Sequence, residues 1–349
     1  MVTIADVAKL AGVSMMTVSR VINKSSHVSE KTRKRVEEAV QALNYRPNMV
    51  ARSLATSRNQ IVAYVMSDLA NPFFANVSTG IQRKCMARGY TMILFDVSNT
   101  QQLEECLNML IGHRIDGVIF HHLDLTEEHV QRLHDNAIKC VTIDNERDLE
   151  GVTMLESDDY LGARMAVRHL IERGHRRIGC IHGLLDDEAA AQASAERELE
   201  YIETFQRRIW RNRTQGFLDE MNAAGLEPAC MIQGRATANI GFFSGGSSLQ
   251  RISDARVRPT AVYCENDMMA LGLLGECLER NVPVPRQIAI VGHDGNDVSL
   301  TLYPRVTTVK QPKYEMGDLA AEQLLNAIES RAQEERIMVY STLAIGDTT

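Results

Sequence analysis

From residue 60 onward the chain alternates strand-length apolar runs with amphipathic helical stretches, and this alternation restricts the fold more than any other feature. Residues 60–66, 90–95, 116–120 and 139–143 read as strands, and 74–88 has the length and periodicity of a crossover helix. After Asp158 the pattern restarts, with strands at 177–181, 229–233, 260–264 and 287–291 and helices at about 160–173, 212–224 and 268–281. Strands joined through helices pair in parallel, and parallel sheets need both faces covered. The length suits two such lobes. Doubly wound sheets bind ligands outside the carboxyl ends of their strands, so two facing lobes would enclose a cleft.

The first 58 residues follow a different rule. Thr3 and Asp6 form a capping-box pattern ahead of Ile4, Val7, Ala8 and Ala11, and Gly12 ends that helix. Ser14 is placed to cap a second helix whose apolar face is Val18, Val21 and Ile22 and whose opposite face carries Met15, Met16, Ser19 and Arg20. A third helix after Ser29 has Val36, Ala39, Val40 and Leu43 on one side, closing a three-helix core. Two short helices joined by a tight glycine turn have the helix-turn-helix geometry that lays a recognition helix in a major groove. A three-helix unit with a solvated charged face is the competing reading. Charge weighs against it: this stretch holds ten Lys and Arg against four Asp and Glu, a net of +6, whereas the chain carries −7, leaving −13 on the rest. A basic head on an acidic body is what phosphate neutralisation by one module requires.

At 349 residues and 44% hydrophobic content, two or three units are expected, each with material for a core. No apolar run approaches the length of a membrane span, and no basic-then-apolar signal precedes the first helix, so a cytoplasmic protein without membrane partners is expected. The seven cysteines, at 85, 106, 140, 180, 230, 264 and 277, form no CxxC pair and read as reduced thiols. His121 and His122 are adjacent but have no further Cys, His or Glu at metal-ligand spacing, so they read as surface or cleft-rim residues. No metal and no cofactor are expected.

The head, together with Asn44-Tyr45-Arg46-Pro47-Asn48, Ala51-Arg52-Ser53-Leu54 and Asn71-Pro72-Phe73-Phe74, resembles the lactose-repressor/galactose-repressor (LacI/GalR) family of bacterial transcription regulators. The likeness extends over nearly the whole chain. It implies an all-α helix-turn-helix head (1–46), a hinge or linker (47–58) and a two-lobed α/β periplasmic-binding-protein-like domain with doubly wound parallel sheets (59–349). Lobe 1 would span about 60–157 plus a late return at about 312–325, and lobe 2 about 158–308 plus the C-terminal segment. The family's hinge becomes helical when two copies pair over the operator centre, where Leu54 matches the wedge that enters the minor groove. A homodimer reading a near-palindromic double-stranded operator is therefore expected. Met15 and Met16 fall on the family's base-reading positions, Arg20 could contact guanine in bidentate fashion, and Ser14, Thr17, Ser19, Asn23, Tyr45 and the 31–35 cluster are expected at phosphates. No leucine heptads follow Arg331, so no tetramerising coiled coil is expected.

In the family, effector contacts sit at strand ends facing the cleft. Phe74, Asp144, Arg213, Asn266 and Asp294 match those positions, and they suit a carbohydrate-like ligand because each hydroxyl both donates and accepts. Asp267 is expected to cap the helix starting at Met268. Two departures stand out. About 20 extra residues lie between Gly183 and Arg213, readable either as a wall of the cleft or as a solvated helix, and Ala236 replaces an aromatic. Arg235 or Arg213 is expected to favour a sugar acid or sugar phosphate. Whether the effector releases or recruits DNA stays open, with induction expected.

Two other classes fare worse. An enzyme on a doubly wound fold would need a GxGxxG, Walker, GxSxG or HExxH pattern, and none is present. A plain sugar receptor would leave the basic head without a use.

Overall fold

The computed structural model describes residues 2–22, 28–45, 58–183, 207–234, 238–331 and 335–349. The chain divides into two compact units, Met1–Asn59 and Gln60–Thr349.

In the first unit, α1 (Ile4–Ala11), α2 (Met15–Ile22) and α3 (Glu30–Ala42) surround a small core of Val7, Ala8, Ala11, Val18, Val21, Val36 and Ala39. The Thr3–Asp6 capping box is present in both directions, and Gly12 ends α1 with a left-handed backbone. Ser14 Oγ accepts from the Thr17 amide at 3.2 Å, which starts α2, and Ser29 Oγ does the same for α3 with Thr32. Arg35 donates to the main-chain oxygens of Ala11 and Gly12, so this member of the 31–35 cluster holds the end of α1 rather than pointing outward for a phosphate.

The second unit contains two six-stranded sheets. The first comprises β1 (Ile61–Met66), β2 (Thr91–Asp96), β3 (Gly117–His121), β4 (Lys139–Ile143), β5 (Thr153–Ser157) and β11 (Arg336–Val339), ordered β2-β1-β3-β4-β5-β11 and parallel throughout. The second comprises β6 (Ile178–His182), β7 (Cys230–Gln233), β8 (Ala261–Cys264), β9 (Ala289–Asp294), β10 (Thr307–Lys310) and β12 (Thr342–Ala344), ordered β7-β6-β8-β9-β10-β12, with only β12 antiparallel. Both sheets repeat one doubly wound order, whose strand ends form a ligand crevice.

The chain passes between the sheets three times: after β5, after β10 and between β11 and β12. Helix α4 (Pro72–Ala87) packs against α12 (Lys313–Ile328), which returns to the first sheet. The two helices approach so closely that a Cβ on Gly80 would lie 2.2 Å from the Tyr314 carbonyl oxygen, and one on Gly317 would lie 2.1 Å from that of Val77.

Between these elements come α5 (Thr100–Gly112) and α6 (Glu127–Asp135) on the first sheet, and α7 (Asp159–Glu172), α8 (Arg207–Ala223), α9 (Ala238–Asp254), α10 (Asp267–Glu279) and α11 (Asp297–Thr301) on the second. Helix α8 starts at Arg207, five residues earlier than the apolar spacing predicts. Its first turn buries Ile209 and Trp210, so the end of the extra segment is part of the core and not a solvated helix. The rest of that segment lies outside the described residues. All seven cysteines are free thiols. Among the described residues, no helix is long and apolar enough to cross a membrane.

Candidate functional site

In the first unit, Met15 and Met16 stand out from α2 with 55% and 64% of their surface exposed. Arg20 is exposed one turn further along. Thr17 is half-buried, its hydroxyl 2.9 Å from that of Ser14, and Ser19 is half-buried beside Val18. Tyr45 packs its ring on the edge of the three-helix core. Asn23 and Leu54, both expected at DNA, lie outside the described residues. Both methionines thus lie outside the small core that α1, α2 and α3 share.

In the second unit, the ends of β3, β4 and β9 carry three non-glycine residues with left-handed backbone: His122 (φ +54°), Asp144 (φ +50°) and Asp294 (φ +116°). Such conformations are disfavoured for L-residues and persist where the surroundings require them. Arg213 on α8 is the hub. Its Nε donates to Asp159 Oδ1 at 2.7 Å, and its Nη1 donates to Asp294 Oδ1 at 3.1 Å and to the main-chain oxygen of Glu265. The guanidinium also lies over the Trp210 ring, 5.4 Å from its centroid. Lys313 Nζ donates to the Asp294 carbonyl at 2.7 Å, and Gln311 Nε2 to its carboxylate at 3.4 Å.

Asp144 accepts from both the amide and the hydroxyl of Ser157 at 2.6 Å and lies 3.4 Å from His122 Nε2. Phe74 is only 1% exposed, packed edge-on against His121 and His122. Asn266 is the N-cap of α10, its side chain accepting from the Met269 amide at 2.7 Å. The sequence reading of Asp267 as that cap is therefore corrected. The helix begins at Asp267, which moves the cap back one position and frees the Asp267 carboxylate to accept from the Asn296 amide and the Thr308 hydroxyl, each at 2.6 Å. Arg235 and Ala236 lie outside the described residues.

The structure brings Phe74, Arg213, Asn266 and Asp294 onto one cavity with Phe73, His122 and Trp210. Its volume is about 20 Å³, enough for about one water molecule. A neighbouring cavity of about 100 Å³ is lined by Asp144, Ser157, Asp159, Arg208 and Asn212 among others. Asp144 thus faces the second space and the other four the first.

Asp159 and Trp210 escaped the sequence reading, and it misplaced two further residues, His121 and His122. Asp159 sits beside Asp158, which caps α7, and only the fold shows which of the two faces Arg213. Trp210, 3% exposed, fills the cleft against Gly183, where a Cβ would lie 2.5 Å from its ring. His121 and His122, expected at a surface or rim, are buried, because β3 runs through the middle of its sheet.

Burial drives the titration of this network. It pushes Glu265 up to about 8 against the hydrogen bonds from Thr214 and Gly183, and Asp267 up to about 7 with help from the charge on Asp294. Asp159 is pushed up to about 6 by burial although Arg213 opposes it. Asp144 goes the other way. Burial alone would raise it, but hydrogen bonding and charge from His122, with His121 and Ser157, hold it at about 2. Burial holds both His121 and His293 well below the usual imidazole range.

Comparison with known proteins places these features. Residues 3–48 match the model for bacterial regulatory proteins of the lacI family, and 167–349 match that for a periplasmic binding protein-like domain. The HTH-type transcriptional repressor PurR of Aliivibrio salmonicida is 33% identical over 97% of this chain and 95% of its own. The ribose operon repressor of Escherichia coli is 31% identical over 98% of each. A crystal structure of the lac repressor dimer bound to operator and the anti-inducer ONPF superposes with a TM-score of 0.78 at 26% identity, over 99% of this chain and 98% of that one. An N-terminal helix-turn-helix module, a two-lobed sensor fold and full-length relatives of this similarity lead to one conclusion: the chain belongs to the LacI family of bacterial transcriptional regulators.

Proposed function

We propose that this protein is a transcriptional repressor that reads a near-palindromic operator as a homodimer, and that a small, neutral, carbohydrate-like effector bound around Arg213 and Asp294 sets its affinity for DNA. The carrying observation is the state of Arg213. Its charge is already met by Asp159 and Asp294, and its Nη1 also holds the Glu265 carbonyl. An anion would have to compete with two buried carboxylates for that cation. A polyol would instead exchange hydrogen bonds with Asp294, Asn266 and Asp144 without disturbing the charge balance. This departs from the sugar acid or phosphate that the arginines suggest in the sequence. The ribose operon repressor among the relatives is in keeping with a sugar ligand.

On this reading Met15 and Met16 make apolar contacts such as with a thymine methyl, Arg20 reads a guanine, and Ser14, Thr17, Ser19, Asn23 and Tyr45 hold the backbone, with Leu54 as a minor-groove wedge. Phe74 and Trp210 supply apolar walls to the ligand. The cavity beside Trp210 holds about 20 Å³, and we take an effector to displace this ring. Closing or opening the lobes around it shifts the dimer between states of different operator affinity, and we take the ligand to be an inducer. A thermal-shift screen of neutral sugars, sugar acids, sugar phosphates and purines tests the ligand class. Stabilisation by a neutral sugar is expected, and stabilisation by sugar acids alone would reverse the assignment. Gel-shift titration on the operator then gives the sign, with release of DNA expected.

A further inference from the structure

We propose that His121, His122 and Asp144 form a binding site for a divalent transition-metal ion of the zinc class. Neighbouring residues of a strand point to opposite faces, so a His-His pair ordinarily cannot serve one ion. Here β3 ends at His121, and the left-handed backbone at His122 brings both rings to the same side, with centroids 4.4 Å apart. Asp144 arrives by the same device. Residue 121 pairs with residue 143 across β3 and β4, so the positions just past the two strand ends are neighbours, and Asp144 is left-handed as well.

The donor atoms are close to coordinating positions. Oδ2 of Asp144 lies 3.4 Å from His122 Nε2 and 4.0 Å from His121 Nε2, and the three ligand atoms all lie within 4.8 Å of one another. Bonds of about 2.0–2.2 Å in a tetrahedral site put ligand atoms about 3.4 Å apart, so shifts of less than about 1 Å on each side suffice. A simple ion pair between His122 and Asp144 would explain only one of the imidazoles. His121 Nε2 is fully buried and has no hydrogen-bond partner among the described residues, while its Nδ1 is 2.7 Å from the Tyr64 hydroxyl. With Nδ1–H donated to that oxygen, the Nε2 lone pair faces the cluster. Ser157 holds both oxygens of Asp144 in the same way.

Two imidazoles and one carboxylate suit Zn²⁺, Co²⁺ or Ni²⁺ better than Ca²⁺ or Mg²⁺, which take oxygen ligands. Three protein ligands leave a position for water or for a hydroxyl of a molecule in the cleft, whose walls include His122 and Asp144. The inference needs neither an effector nor DNA, so it stands or falls apart from the proposed repressor function.

The test uses the full chain, stripped with a chelator and titrated with zinc alone by calorimetry. One ion per chain is expected, with affinity at least tenfold weaker in His122→Asn, where asparagine tolerates the left-handed backbone, and in Asp144→Asn. Unchanged affinity in correctly folded variants, or no binding by the wild type, overturns the site. X-ray absorption on the zinc-loaded wild type decides without variants: a first shell of nitrogen and oxygen with imidazole scattering supports it, and sulfur in that shell assigns the zinc to the cysteines instead.

Discussion

Trp210 lies against Arg213, with the guanidinium carbon 5.4 Å from its ring centroid, and its indole Nε1 is buried without a hydrogen-bond partner among the described residues. The contact ties the only tryptophan of the chain to the cation at the centre of the cleft. Binding of a ligand that moves Trp210 therefore changes the intrinsic fluorescence of the whole protein. Trp210→Ala is expected to destabilise the fold by about 3–5 kcal/mol through the cavity it leaves. Denaturant unfolding measures that loss, and a ligand that stabilises the protein without altering tryptophan emission would show that the cleft opens elsewhere.

Arg213 is buried between Asp159 and Asp294, and removing it strands two carboxylates. Arg213→Ala is expected to cost about 3–5 kcal/mol, the usual effect of breaking a buried pair from one side. Arg213→Lys recovers only part, because one ammonium cannot span two carboxylates and the Glu265 carbonyl in the plane that a guanidinium provides. Equal stability of the lysine variant and the wild type in urea would mean that the fork geometry is unimportant.

Stability should fall as pH rises through neutrality, in part because of Glu265. Its carboxyl is raised from an ordinary 4.5 to about 8, so between these values the folded chain holds a proton that the unfolded chain has released. Unfolding then liberates protons, and the contribution is complete below about pH 4.5 and lost as pH climbs through 8. Glu265→Gln keeps a neutral partner for Thr214 at every pH. Relative to wild type, its melting temperature should gain steadily from pH 5 to pH 8.5; two parallel curves would exclude Glu265 as the source.

Arg20 and the exposed methionines make separable contributions to DNA binding. Arg20→Ala is expected to cost about 1–3 kcal/mol and to relax preference at one base position. If gel-shift titration shows the same loss on every duplex, Arg20 contacts a phosphate. Met15→Ala and Met16→Ala should weaken binding with almost no change in the salt dependence, since neither side chain neutralises a phosphate.

Much of the architecture was legible in order along the chain. The Thr3–Asp6 box, the Gly12 stop and the eight strands β1 to β4 and β6 to β9 declare themselves through local spacing, because capping and apolar periodicity are properties of neighbouring residues. β5, β10, β11 and β12 did not. Met154 and Glu156 are both buried in β5, so no polar-apolar alternation marks it, and β11 and β12 are four and three residues long.

The sequence alone determined that a cationic helix-turn-helix head precedes a doubly wound body, and its resemblance to a known family pointed to Arg213 and Asp294. Only tertiary structure decided what those residues do to one another. Pairings such as Arg213 with Asp159, or His121 with Tyr64, join positions more than fifty residues apart, and no local pattern encodes which of several buried charges will meet. The left-handed turns at His122 and Asp144 are likewise imposed by the register of two strands and the packing around their ends, since neither residue type demands that conformation by itself.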